Sequence, residues 1–350
     1  EHLVNPCVEI SFWCYNIVDQ TKYDKYMETY DGKGYDCNLK KIGLESGWQG
    51  CNLSTINSAS VKSTEDFFER ARAAAIIGTF QAGYTTFNYL TPASEAIFKR
   101  EALLGVSMTG TMENFDIVLD PNNQKEAARI IKETNKEFAQ KIGINQAARL
   151  TCLKPEGTTS CILGTSSGIH PHHSKRYHRV VQANKTETPY NHFRTINETA
   201  CETSVWSNNN TDDVIRFPIE VPDGAKTKNQ LPALALLEIV RSTQQNWVIA
   251  GTNKNLCTQP WLTHNVSNTI NVLDDEWEDV GEFIYKNRRY FCGISLLPHS
   301  GDKDYPQAPF TAVYTSREIV KEYGEPALWT SGLIELALQS FENNLWTACD

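Results

Sequence analysis

The stretch Glu1-His2-Leu3-Val4-Asn5-Pro6-Cys7-Val8-Glu9-Ile10 sets how the rest of the chain is read. Asn5, Cys7 and Glu9 stand two residues apart. In an extended backbone such residues project to one side. An amide, a thiol and a carboxylate then face one small volume. Pro6 removes a backbone donor and biases Asn5 away from helix. This suits a loop that carries a thiol into a pocket. Taken alone, the motif also fits an ordinary strand end with a buried cysteine, because short motifs match by accident.

Further stretches follow it in order: Gly50-Cys51-Asn52-Leu53-Ser54-Thr55-Ile56-Asn57, Leu104-Gly105-Val106-Ser107-Met108-Thr109-Gly110 and Lys154-Pro155-Glu156-Gly157-Thr158-Thr159-Ser160. Then come Ser166-Ser167-Gly168-Ile169-His170-Pro171, Gly293-Ile294-Ser295-Leu296-Leu297-Pro298 and Tyr305-Pro306-Gln307-Ala308-Pro309-Phe310. Asn-Pro-Cys-x-Glu resembles the finger-loop motif of ribonucleotide reductases, and the other stretches resemble that family in the family's order. The wording is most similar to the adenosylcobalamin-dependent (class II) branch, especially its monomeric ribonucleoside-triphosphate reductases. Each stretch is weak singly. Together they span nearly the whole chain.

The length of 350 residues allows a large core, as about two domains or one large α/β barrel. The net charge of −9, with no Lys/Arg-rich run, argues against a nucleic-acid-binding surface. Phosphate recognition must then rest on backbone amides and a few side chains. The ten cysteines include no Cys-x-x-Cys pair, so a zinc ribbon is unsupported. The chain is not a short disulfide scaffold either, which points to mostly buried thiols in a reducing, cytoplasmic setting. No apolar run approaches the ~20 residues of a membrane span. The chain starts with Glu and stops soon after a helix-like stretch, so part of a longer polypeptide or one product of a split gene is expected.

Residues 1–16 read as a finger loop and a short strand, 17–50 as an irregular surface insertion, and 51–350 as the remaining core with its helices. Capping signals and periodicity predict helices over 63–81, 94–104, 123–142, 184–203, 231–249, 274–285 and 325–340. Strands are expected at 104–111, 148–153, 174–182, 214–221, 266–272 and 293–297. The alternation of strand and helix argues for a largely parallel sheet. The resemblance implies something more specific, the family's ten-stranded α/β barrel. This chain would supply the finger loop and the second half, and the preceding N-terminal half is absent from it.

The resemblance also implies the chemistry, reduction of ribonucleotides to 2′-deoxyribonucleotides for DNA synthesis. Cys7 would be the thiyl that takes the 3′ hydrogen, Glu9 the base for the 3′-hydroxyl proton, and Asn5 the group that holds the sugar hydroxyls. Cys51 would be one member of the reducing cysteine pair, its partner lying in the absent half and a dithiol reductant such as thioredoxin regenerating it. Cys37, in a similar Cys-Asn-Leu setting, is a lesser candidate, and the other cysteines read as core residues. The turn Glu156, Gly157, Thr158, Thr159 and Ser160 would bind the substrate phosphates, with Gly157 permitting close backbone approach and Glu156 turned away from the anion. By its pattern alone this segment is as well a plain turn, and it is not a Walker A loop.

His170, His172, His173 and His178 are irregularly spaced, and no metal site is expected from them. Arg176 and Arg179 fit either phosphate contacts or surface charge. The region 293–310 has no Tyr-Tyr dipeptide of the class I radical path. The resemblance therefore implies adenosylcobalamin as radical source. Two other readings stay open. One is a class I-type large-subunit fragment served by a separate radical-generating subunit. The other is a split-gene fragment that only assembles with its other half.

Overall fold

The computed structural model describes residues Leu3–Val4, Ile10–Ser11, 14–31, 38–257, 259–298, 306–323 and 341–342. The chain divides into two compact units. The first comprises Glu1–His170, Ala233–Ile270 and Glu278–Leu296; the second comprises Pro171–Pro232, Asn271–Trp277 and Leu297–Asp350.

The first unit is built on parallel backbone. The strand Asn52–Asn57 pairs in parallel with Leu104–Thr109, Asn52 facing Leu104 and Asn57 facing Thr109. All six residues of Leu104–Thr109 are buried, as expected for an inner parallel strand covered on both faces. A third strand segment runs beside it. Val106 bridges Thr151 in parallel, with Val106 N–H donating to the Leu150 carbonyl at 2.8 Å and Cys152 N–H to the Val106 carbonyl at 3.0 Å. A fourth follows, Leu153 bridging Val266 in parallel. Helices link these strands in the βαβ manner that parallel pairing requires.

The linking helices follow from sequence. Ser63 accepts from the Asp66 amide and caps Thr64–Ala82, whose first turn carries Glu65 and Asp66. Its buried positions, Phe67, Ala71, Ala74, Ala75 and Gly78, recur at helical spacing. Gly78 lets the helix lie close to the second strand, since a Cβ there would sit 3.0 Å from Leu104 Cγ. Asp120 accepts from the amides of Asn122 and Asn123 and caps Pro121–Ile142. Asn135 of that helix, fully buried, donates to Thr79 Oγ1 at 3.0 Å and accepts from the Ala147 amide at 2.9 Å, so its buried amide is satisfied on both sides.

The expected helix 231–249 is Ala233–Thr243 continued by a π-helical turn, Gln244–Ile249. That turn grips the third and fourth strands. Trp247 Nε1–H donates to the Cys152 carbonyl at 2.9 Å, and Thr151 Oγ1–H donates to the Trp247 carbonyl at 2.7 Å. Gln244 donates to the His264 carbonyl at 2.9 Å and accepts from the Val266 amide at 3.1 Å.

His264 donates through Nδ1 to the Thr151 carbonyl at 3.1 Å, while its Nε2 is buried without a partner among the described residues. Burial first, and the Arg149 charge second, push its pKa from 6.5 down to about 4. The unfolded chain therefore binds this proton first as pH falls. Stability contributed by the neutral ring is intact above 6.5 and is lost as pH drops toward about 4. His264→Gln should flatten the fall of the urea midpoint across that window. An unchanged pH profile in the variant would contradict the assignment.

Residues 17–50 differ from the expected irregular excursion. Cys14–Ile17 pairs antiparallel with Leu44–Gly47, and Asp19, accepting from Lys22 N–H, caps a helix over Gln20–Met27. That helix has no buried residue, so no apolar stripe marks it in the sequence.

The second unit departs from the largely parallel pairing expected from the alternation of strand and helix. Its four strands, in the order Phe310–Ala312, Arg176–Asn184, Asp212–Glu220 and Cys201–Thr203, are all antiparallel. The expected helix 184–203 is also corrected. Arg176–Asn184 is strand to its end, the helix is only Thr188–Ile196, and Cys201–Thr203 is again strand. The shorter helix begins with Pro189 in its first turn, and Asn197, outside it, accepts from the Ala200 amide to cap a separate 3₁₀ turn. The expected helix 325–340 lies outside the described residues.

Candidate active site

Leu3–Val4 pairs antiparallel with Ile10–Ser11. Asn5, Cys7 and Glu9 come between these two strands in sequence and lie outside the described residues, as does Cys37.

Cys51 and the Glu156–Ser160 turn both belong to the first unit. Ser54 Oγ–H donates to the Ala74 carbonyl of the covering helix, which fixes the outward face of the first strand. Cys51, Leu53 and Thr55 therefore face the other way. Thr55 Oγ1–H donates to Glu156 Oε1 at 2.7 Å. One strand face thus links Cys51 to the turn across four residues, about 13 Å of extended chain.

Glu156 has φ +56° and precedes the helix Gly157–Leu163, its carbonyl accepting from Ser160 N–H at 2.8 Å. Its side chain is 3% exposed and turned onto Thr55, and its Oε2 has no partner among the described residues. Gly157 and Thr158 are exposed, Thr159 is half-buried and Ser160 is buried. The amides of Thr158 and Thr159, in the first turn of this helix, have no intrahelical acceptor. A Cβ on Gly157 would meet nothing within 4 Å, and its φ is not in the left-handed region. Neither packing nor backbone conformation demands glycine there, so the residue leaves room in front of those amides. Gly168 is the opposite case, with φ +56° and a virtual Cβ 2.3 Å from the Lys154 carbonyl oxygen.

Among the described cysteines, Cys14 and Cys152 are buried, Cys51, Cys201 and Cys257 are half-buried, and Cys161 and Cys292 are exposed. The core assignment of Cys161 and Cys292 is therefore corrected. Cys161 lies on the outer side of a short helix, its thiol donating back to the Gly157 carbonyl at 2.9 Å. Cys152 is a core residue, and it is also a neighbour of Cys51, a relation that no sequence spacing displays.

The histidines and arginines take part in packing. His170 Nδ1 donates to the Ser167 carbonyl at 2.9 Å. In the second unit His172 pairs with the Tyr177 hydroxyl at 3.2 Å, His173 stacks on Phe310, and burial with the Arg216 charge lowers the pKa of His178. Among the described residues no group of three or more His, Cys, Asp or Glu side chains could hold a metal. Arg176 is engaged by the Glu318 carboxylate at 2.5 Å, and Arg179 lies over the Phe310 ring at 5.3 Å. No described helix is long and apolar enough to cross a membrane.

No family model matches the chain. Its fold is that of the ribonucleotide reductases: a crystal structure of a B12-dependent (class II) ribonucleotide reductase aligns with 85% of the chain at a TM-score of 0.58 and 16% identity, the match covering 42% of that chain. In sequence it is related more particularly to adenosylcobalamin-dependent ribonucleoside-triphosphate reductases. It is 23% identical over 323 residues, 87% of its length, to the one from Levilactobacillus brevis, and covers 38% of that protein. A putative one from Mycobacterium phage D29 is 22% identical over 296 residues, 78% of this chain and 42% of the relative. The resemblance read from the motifs is borne out in sequence and in fold. The chain spans less than half the length of the relatives it matches.

Proposed function

We propose that the chain is the finger-loop and second-barrel-half portion of an adenosylcobalamin-dependent ribonucleoside-triphosphate reductase, the first half barrel being supplied by a further stretch of protein that the longer relatives also have. The observation that carries this reading is the arrangement of Cys51 and the Glu156–Ser160 turn on one parallel sheet whose fold matches a class II reductase.

The chemistry assigned to the residues balances. Cys7, as a thiyl, takes the 3′ hydrogen of the ribose, and Glu9 holds the proton of the 3′-hydroxyl while Asn5 fixes the sugar hydroxyls. The 2′-hydroxyl leaves as water. Cys51 and a cysteine of the first half barrel supply two electrons and two protons and close a disulfide. Cys7 then returns hydrogen to the 3′ carbon. A dithiol protein of the thioredoxin kind reopens the disulfide. The first-turn amides of Thr158 and Thr159, with the Thr and Ser hydroxyls, hold the phosphates. Glu156 serves that turn through its backbone, because its carboxylate is occupied with Thr55.

Adenosylcobalamin reaches this reading through the relatives, whose names carry it. When bound it supplies the radical. We place the reaction in the reducing cytoplasm, in keeping with the thiol state of the described cysteines.

The turn gives the test of substrate placement. Gly157→Val adds bulk where the fold has open space, so it should leave folding intact. It should raise the KM for ribonucleoside triphosphate about tenfold, the equivalent of about one charge-assisted contact, with kcat less affected. An unchanged KM in the folded variant would remove the turn from the substrate site.

A further inference from the structure

Gly105 lies inside the buried strand Leu104–Thr109, where a glycine supplies no side chain to pack. Its φ is not positive, so the backbone conformation does not call for glycine. The space above it does. A Cβ placed on Gly105 would lie 2.4 Å from Leu53 Cδ2, 2.6 Å from Cys51 Sγ and 3.1 Å from Cys152 Sγ. Gly157 is the contrast, since a Cβ there meets nothing within 4 Å.

Strand register explains the convergence. Leu53 stands opposite Gly105 in the parallel pair. Cys51 precedes Leu53 by two residues, so it faces the same side, diagonally across from Gly105. Cys152 approaches from the strand on the other side, its backbone fixed by N–H donation to Val106 and by Trp247 Nε1–H on its carbonyl. Cys51 is half-buried and stands one residue before its strand begins. Strand pairing therefore fixes its side chain less than the contacts around its sulfur do.

We propose that Gly105 is a positioning residue for Cys51. By carrying no side chain, it lets the Cys51 thiol lie down on the face of its strand, beside Leu53. The inference rests on the reducing role proposed above for Cys51. A thiol that must reach both the substrate and a cysteine of the first half barrel needs one fixed location. A methyl group at position 105 would take the place of the sulfur, because 2.6 Å is far inside van der Waals contact. The three atoms nearest that methyl include none of the phosphate turn. Substrate capture is therefore left alone, and the reducing step is slowed.

The test uses this chain assembled with the first half barrel. Gly105→Ala should lower kcat about 10- to 100-fold, as for a reacting group displaced by about 1 Å, with the KM for ribonucleoside triphosphate little changed. The prereduced protein is also run without a dithiol, and its disulfides are mapped by peptide mass spectrometry. Wild type should yield Cys51 in a disulfide, and Gly105→Ala severalfold less in the same time. Gly78→Ala is the packing control. Its Cβ would press on Leu104, 3.0 Å from Cγ, on the other face of the same strand. Its kcat and Cys51 disulfide should stay near wild type. Should Gly105→Ala not fold, Leu53→Ala takes its place, at a residue 38% exposed. It frees the same thiol on one side and should lower kcat with KM little changed; an unchanged kcat there would overturn the proposal. So would wild-type kcat and disulfide yield in folded Gly105→Ala, or equal losses in Gly105→Ala and Gly78→Ala. The reducing role of Cys51 survives those results. Absence of any Cys51 disulfide in wild type would remove that role, and the proposal with it.

Discussion

Cys7→Ser should leave the assembled protein folded and without detectable turnover. A serine O–H bond is much stronger than a cysteine S–H bond, so an oxygen at this position cannot hold and return the radical that a sulfur can. The 3′ hydrogen then stays in place, and the 2′-hydroxyl has no route to leave from an unactivated carbon. A loss of at least on the order of 10⁴-fold is expected, equivalent to about 5.5 kcal/mol or more of barrier. The measurement is deoxyribonucleotide formed per enzyme by chromatography, with circular dichroism as the control for folding. Wild-type-like turnover in the folded variant would remove Cys7 from the chemistry.

Trp247→Ala should be among the most destabilising single changes in the first unit. Trp247 is fully buried, stacks on fully buried Phe67 with ring centroids 6.2 Å apart, and donates to the Cys152 carbonyl. Truncation leaves a large cavity, which costs about 3–5 kcal/mol. It also strips a buried carbonyl of its donor, costing about a further 1–3 kcal/mol if no water replaces it. Urea unfolding followed by far-UV circular dichroism measures the sum. Trp247→Phe keeps much of the volume while losing the N–H and part of the ring, so it should cost clearly less. A loss under about 1 kcal/mol for Trp247→Ala would mean that the π-helical turn does not secure the third strand in the way its contacts indicate.

The parts of the fold legible in the sequence are those where local chemistry and tertiary packing agree. Ser63 with Glu65 and Asp66, and the amphipathic run from Asn123 to Ile142, announce helices that the first unit contains. The apolar Leu104, Val106 and Met108 mark a strand, which the structure shows to be an inner one. The segments that misled are those where tertiary pairing decides. In the sequence, nothing near Gln20–Met27 separates a helix without buried residues from a loop except the Asp19 cap. In the second unit, alternation of strand and helix looks the same whether the strands return parallel or antiparallel. The register of Arg176–Asn184 against Asp212–Glu220 is set by pairing over a distance that periodicity does not carry.

The candidate site shows the same division. Cys51 and the Gly157 turn were legible because each stands in a motif. Thr55 and Gly105 stand in quoted stretches too, but that Thr55 donates to the Glu156 carboxylate and that two sulfurs approach Gly105 was not legible from them. Their roles come from the lateral order of strands separated by about 50 residues or more of chain. One signal was available for Cys152. It falls on an expected strand, two residues before Lys154-Pro155-Glu156, and so beside the turn already singled out.

The most direct test of the central claim is deoxyribonucleoside triphosphate formation by this chain assembled with the first half barrel. It is run with a dithiol reductant, with and without adenosylcobalamin. The account predicts product only when adenosylcobalamin is present, and none from Cys7→Ser under the same conditions. Product formed without the cofactor, or only when a separate radical-generating protein is added, would contradict it.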